Sequence, residues 1–188
     1  ASDWPEGQQP DDKAEVWTFD QVSAASLDYF QGDELAANTW TTKYALQNGQ
    51  GQYLEKTPTD MHWRLAREFA RIEATYPNPM SVQEIFGLFD RFKPVVPQGS
   101  PMSAIGNPYF LQSLGNCFAL PPVIDSYGGI LHTDQQLAQL MKRRAGVGVD
   151  VSGIRPKGMP TTNAAVTTDG IGVFMERFSN TCREVAQN

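Results

Sequence analysis

The sequence is short of most features that announce a function. Its 188 residues hold two cysteines, Cys117 and Cys182, and two histidines, His62 and His132. Two cysteines are too few for a disulfide framework. Each histidine has an Asp two positions away, Asp60 and Asp134, but no further ligand follows at a metal-site spacing, so no metal site is expected. No apolar run approaches the roughly 18 residues a membrane helix needs. The longest, Cys117 to Ile124, contains two prolines. A basic start followed by an apolar stretch, the mark of a secretory signal, is missing. So is a basic excess: 15 Lys and Arg stand against 21 Asp and Glu, for a net charge of −6. That balance excludes the footprint of a duplex nucleic-acid binder. There is no internal repeat, and AGVGVD (145–150) is neither a Walker loop nor a GxGxxG fingerprint. These absences leave a soluble, cytoplasmic globular protein as the expectation, with neither nucleic acid nor membrane as a partner.

What is present supports a packed core. The apolar set is 40% of the chain and 16 glycines accompany it, which falls in the globular range. Residues 1–15 are polar and acidic and read as a flexible leader. From Ser23 to about Asp90 the apolar spacing is helical. Asp60 precedes MHWRLAREFARIEATY, in which Met61, Leu65, Phe69 and Ile72 share a face while Arg64, Arg67, Glu68, Arg71 and Glu73 occupy the rest; Thr59 or Asp60 is the expected cap. Ser81-Val82-Gln83-Glu84 spells a capping box opening a further helix to about Phe92. At Lys93 the texture turns to Pro, Gly, Ser and Asn with short apolar runs, which predicts strands and loops and no helix. A helix is expected from Thr133 to about Arg144, a buried strand over 145–151, a loop from Ser152 to Gly172, and a last helix from Val173. The order is α+β or α/β, with too few strands to close a parallel sheet.

Two places carry candidate chemistry. Cys117, in Leu114-Gly115-Asn116-Cys117-Phe118, reads either as a small buried hydrophobe or as a reactive thiol. Cys182 lies on the last helix, with no feature that forces reactivity. The loop RPKGMPTTNAA (155–165) sets Arg155 and Lys157 among glycine and hydroxyl residues, a composition that suits an oxyanion and equally a solvated loop.

Six stretches, in this order, resemble the large catalytic subunit of ribonucleotide reductases, nearest to its adenosylcobalamin-dependent (class II) branch. They are TPTDMHWRLAREFAR (57–71), VPQGSPMSAIGN (96–107), SLGNCF (113–118), DSYGGI (125–130), KRRAGVGVDVSGIRPKG (142–158) and FMERFSNTCREVAQ (174–187). The resemblance implies a helical N-terminal domain over 16–95 and, over 96–188, the first strands and helices of a ten-stranded α/β barrel. It implies that ribonucleotides are reduced by radical chemistry, with adenosylcobalamin as cofactor and a thioredoxin-type reductant. Cys117 matches one cysteine of the redox pair. Ser100, Asn116, Ala145 and Gly146 match substrate-binding positions. Asp125, Arg155 and Lys157, with the loop to about Asn163, match the site where a deoxynucleoside triphosphate effector selects the base to be reduced. The helices from Thr133 and Val173 match those that pair in homodimers.

Two departures qualify this. Asn180-Thr181-Cys182-Arg183-Glu184 spells the Asn-x-Cys-x-Glu of the family's radical-bearing loop, but its surroundings match an earlier helix. The family also continues beyond the position matched by Asn188. The expectation is therefore an N-terminal portion, inactive without the remainder of the barrel as a second chain or as further sequence. Two alternatives are a class I subunit with a separate radical-generating partner, and a non-catalytic effector-binding or dimerising module.

Overall fold

Residues 15–185 are described by the computed structural model; the expected leader lies outside them except for Glu15. Backbone contacts divide the chain into two units, Ala1–Leu114 and Gly115–Asn188.

The first unit is helical. Helix α1 (Phe19–Tyr29) opens at Thr18, whose hydroxyl accepts from the Gln21 amide while the Gln21 side chain accepts from the Thr18 amide. Asp33 caps α2 (Glu34–Lys43) through the Ala36 amide at 2.9 Å. Helix α3 (Pro58–Glu73) starts earlier than the expected Thr59 or Asp60, with Thr57 as its cap. Pro58 occupies the first helical position, where a missing N–H costs nothing. Asp60 instead lies inside the helix and accepts from the amides of Lys56 and Thr57, each at 2.9 Å. The capping box spelled by Ser81 and Glu84 forms as expected and starts α4 (Val82–Phe89). The chain then makes one tight turn, 90–92, in which Arg91 and Phe92 both take a left-handed φ of 54°. Helix α5 (Gly99–Ala104) corrects the expectation of strands and loops after Lys93. The residues GSPMSA were read by composition alone, yet Pro101 fits a first helical turn.

Val22, Trp40, Tyr53, Met61, Leu65, Ala66, Ile85 and Phe89 form the core of this unit. Met61 and Leu65 bury the expected face of α3, but Phe69 and Ile72 farther along it are partly exposed. Arg64 and His62, by contrast, are buried. His62 is fully enclosed, with Phe92 packed edge-on against its ring at 4.5 Å and no protein partner for either ring nitrogen. Burial lowers its pKa from 6.5 to about 4, although the Asp90 carboxylate pulls the other way.

The second unit begins with β1 (Cys117–Ala119), crosses through α6 (Tyr127–Met141) and returns in β2 (Gly146–Gly148), parallel to β1. Cys117 pairs with Gly146, Phe118 with Val147 and Ala119 with Gly148. The ladder is shorter than the strand expected over 145–151, because the partner segment runs into Pro121 and Pro122, which have no amide to donate, between the Leu120 bond to Gly148 and the Val123 bond to Asp150. Helix α6 begins at Tyr127, nearly two turns before the expected Thr133. The Gly128-Gly129 pair reads as a turn, but here it permits close packing: a Cβ on Gly129 would lie 2.5 Å from the Ile124 carbonyl oxygen. Ser126 caps this helix through the Gly129 amide. Helix α7 (Ile171–Val185) packs on α6, and Val123, Ile130, Ile154 and Phe178 form a second core. The architecture is helical first and then strand–helix–strand, with a two-stranded parallel sheet that is not closed. Among the described residues no helix is long and apolar enough to cross a membrane.

The burial of neutral His62 makes stability depend on pH. Its folded pKa is lower than its unfolded one, so the stabilisation is complete above about 6.5 and is lost as pH falls toward 4, because the unfolded chain takes a proton that the folded chain refuses. Urea melts should show a loss of up to roughly 3 kcal/mol across that window. In His62→Leu this slope should flatten.

Candidate functional site

Each unit contributes its own group of candidate residues. In the first, Ser100 sits in the opening turn of α5 and is 6% exposed. Its carbonyl lies 3.3 Å from the Ser103 hydroxyl, which also reaches the Gly99 carbonyl at 3.2 Å and the Gln112 side chain at 2.9 Å. One hydroxyl proton serves three acceptors, so the shortest, to Gln112, is the principal bond. Asn107 ties the same turn to the chain beyond it. Its Nδ2 donates to the Ser103 carbonyl at 3.0 Å, and its Oδ1 accepts from the Tyr109 amide at 2.9 Å. Gly99 leaves room for Tyr44, whose hydroxyl would stand 3.0 Å from a Cβ there.

Arg64 holds the other end of α5. Its guanidinium donates to Glu55 Oε1 at 2.7 Å, to Glu55 Oε2 at 3.3 Å, and to the carbonyls of Met102, at 2.9 Å, and Ile105. Glu55 Oε2 in turn accepts the Leu46 amide at 2.8 Å. Sequence reasoning placed Arg64 on the polar side of α3 and passed over Glu55. The available signal is slight: Arg64 stands next to Leu65 and one turn after Met61, both on the apolar face, and Glu55 precedes the helix.

In the second unit, Asn116, Cys117, Ala145 and Gly146 come together. Cys117 begins β1 with an exposed, unbonded thiol. The Gly146 amide donates to the Asn116 carbonyl at 2.6 Å, locking the register that sets Cys117 opposite Gly146. Ala145 is completely buried behind this pair. It follows Arg144, whose left-handed φ of 64° turns α6 into β2. Opposite Cys117, position 146 carries no side chain, and position 145 carries only a methyl group.

Asp125 and Arg155 also meet. Arg155 Nε donates to Asp125 Oδ2 at 2.6 Å, and its Nη1 to the Pro160 carbonyl at 2.7 Å. The pair is about one-third exposed, so solvent screens it and its worth lies in shaping the loop. Lys157 lies on the same loop, which is folded on itself by bonds from Gly158 to Thr168 and from Thr161 to Val166. Gly170 keeps it there. Its φ is +81°, and a Cβ would approach the Lys157 backbone nitrogen to 2.4 Å.

Cys182 is half-buried on α7. Asp134 on α6 receives Arg177 at 3.0 Å and Thr181 from α7. Among the described residues no group of three His, Cys, Asp or Glu is placed to hold a metal ion. Two clefts lie along α6 and α7, one lined by Tyr127, Leu131, Phe174 and Arg177, the other by Glu176, Asn180 and Glu184. Neither is a cradle for a corrin ring.

Comparison with known proteins gives these groups a common frame. The family model described as ribonucleotide reductase, all-alpha domain, matches residues 30–104, and that described as ribonucleotide reductase, barrel domain, matches residues 115–188. The chain is also 26% identical over 142 residues to the ribonucleoside-diphosphate reductase large chain of Encephalitozoon cuniculi. That alignment covers 73% of this chain and 17% of the relative.

The strain that Gly170 avoids can be tested. Gly170→Ala combines an unfavourable φ with a backbone clash and should release the 155–168 loop. Limited trypsin digestion should then cut rapidly after Lys157 in the variant and slowly in the parent; equal rates would show that Gly170 does not hold the loop.

Proposed function

We propose that this chain, built from the all-alpha and barrel domains of the ribonucleotide reductase large subunit, supplies the reducing thiol, part of the substrate site and the effector loop of an enzyme that converts ribonucleotides to deoxyribonucleotides. The observation that carries the reading is Cys117: an exposed thiol at the start of a parallel strand, opposite Gly146 and beside Asn116 and buried Ala145. A ribose seated over that strand would meet a sulfur with no side chain from Gly146 in the way.

The chemistry assigned to Cys117 is a two-electron exchange. The thiol and a partner thiol are oxidised to one disulfide, the 2′-hydroxyl leaves as water, and carbon 2′ gains a hydrogen in its place. A thioredoxin-type dithiol then restores the pair. The partner cysteine belongs to the remainder of the barrel, either a second polypeptide or further sequence. On this reading the 188 residues alone form no deoxynucleotide. Asn116, Ala145 and Gly146 in the second unit are assigned to the substrate, as is Ser100 in the first. Asp125 fixes Arg155, which with Lys157 offers cations to the triphosphate of a deoxynucleotide effector. The partly exposed Tyr127, Leu131, Val173 and Met175 on α6 and α7 fit a homodimer contact beside that loop. The relative's name makes the ribonucleoside diphosphate the substrate to test first. The six collinear motifs favour adenosylcobalamin as the radical source, and dependence of the assembled enzyme on added adenosylcobalamin tests that choice against a separate radical-generating subunit.

In the assembled enzyme, Cys117→Ser should abolish multiple turnover. Sustained turnover with external dithiol would remove the thiol from its assigned role. Arg155→Ala should weaken deoxynucleoside triphosphate binding by about tenfold or more, as loss of a charge-assisted contact requires; unchanged affinity in equilibrium dialysis would overturn the effector assignment.

A further inference from the structure

We infer that Arg64, oriented by Glu55, is a positioning residue for the ribonucleotide: it fixes the α5 turn so that the Ser100 hydroxyl keeps the place where substrate is received. The inference rests on the reading of Ser100 given above and goes beyond it by naming what sets that hydroxyl's position.

Three observations support it. First, α5 is only six residues long, too short to hold its own conformation, since a single helical turn is unstable in isolation. Second, Arg64 supplies what the helix lacks. The Met102 and Ile105 carbonyls lie at its C-terminal end, where no intrahelical donor is available, and both accept from the one guanidinium. That guanidinium is planar and on its other side donates two bonds to Glu55, so it acts as a rigid spacer between carboxylate and helix. Third, the backbone is shaped around it. Gly106 has a φ of +68°, and a Cβ there would stand 2.9 Å from Arg64 Cγ. Side chain and turn fit each other without slack.

Only Pro101 separates Ser100 from Met102, and both lie in the same turn of helix. A shift of the Met102 carbonyl therefore moves the Ser100 hydroxyl by a similar amount. Displacement of a substrate-holding group by about 1 Å can cost up to about a hundredfold in rate or affinity. Lysine at position 64 could keep the charge and one bond to Glu55, but it could not reach the carboxylate and both carbonyls together.

The test is a double-mutant cycle in the assembled enzyme that carries this chain. Equilibrium binding of cytidine di- and triphosphate is measured for Arg64→Lys, Ser100→Ala and the double variant, with thymidine triphosphate binding as the control for the other unit. The expected result is a loss of about tenfold or more for each single variant, a double variant no worse than the weaker single by more than about twofold, and unchanged effector binding. Losses that multiply would mean that Arg64 does not act through Ser100. Weak binding in Ser100→Ala with parental binding in Arg64→Lys would overturn the inference and leave the substrate reading intact. A silent Ser100→Ala would overturn the reading of Ser100 itself. If Arg64→Lys fails to fold, Glu55→Gln keeps the acceptor and removes the charge. It should then show the same non-additivity with Ser100→Ala at a smaller loss, about threefold; parental affinity there would likewise overturn the inference.

Discussion

The helical unit depends on one buried ion pair. Arg64 and Glu55 are each nearly inaccessible, and a charge taken out of water is tolerated only when it is paired and its remaining hydrogen-bonding capacity is used. Both conditions are met. Glu55 accepts from Arg64 and from the Leu46 amide, and Arg64 donates to Glu55 and to two carbonyls of the α5 turn. Three segments remote in sequence, around residues 46–55, 64 and 102–105, are thereby fixed to one point. An apolar pair of the same volume could match its stability. It could not satisfy the carbonyls of Met102 and Ile105, and the turn carrying Ser100 would lose its anchor.

The second unit is governed by a different constraint. Parallel strands need a crossover between them and cover on their faces. Helix α6 supplies the crossover, and its first turn can fold against the chain that leads into it only because Gly129 has no side chain against Ile124. The strands themselves are still open: Cys117, Phe118 and Ala119 are all exposed. Such a surface is what further strands of a barrel would cover, and it is consistent with a match that spans only 17% of the relative's length. The exposed thiol is a consequence of the same geometry, since the first residue of a strand that faces an open edge has nothing packed on it.

Legibility in the sequence followed the range of the interactions. Helices fixed by local chemistry could be read directly, as with the Ser81–Glu84 box, because cap and partner are three residues apart. Where long-range packing decides, the reading fell short. GSPMSA looks like a loop until Arg64 reaches its carbonyls from α3. The strand expected over 145–151 runs longer than the ladder because its own alternation of small and apolar residues says nothing of Pro121 and Pro122 on the segment it pairs with. The grouping of Asn116, Cys117, Ala145 and Gly146 came from the resemblance, and the spacing of those residues alone would not have predicted it. Their adjacency requires the parallel register of β1 and β2, a property of the folded sheet.

Helix α3 brings out how burial sorts polar side chains by what surrounds them. Within one turn of each other, His62 and Arg64 are both enclosed, yet they reach opposite electrical states. Arg64 keeps its charge, because guanidinium does not give up its proton in a protein and Glu55 compensates it. His62 meets Phe92 and no hydrogen-bonding partner, and the attraction of Asp90 does not outweigh the loss of water, so it stays neutral to about pH 4. The 90–92 turn that supplies Phe92 holds two residues in left-handed conformations, which cost energy outside glycine. That cost is borne where an aromatic ring must be laid over an imidazole. The helix thus has two buried polar points of different kinds: one a rigid charged spacer that fixes α5, the other a neutral ring whose packing joins α3 to the turn after α4.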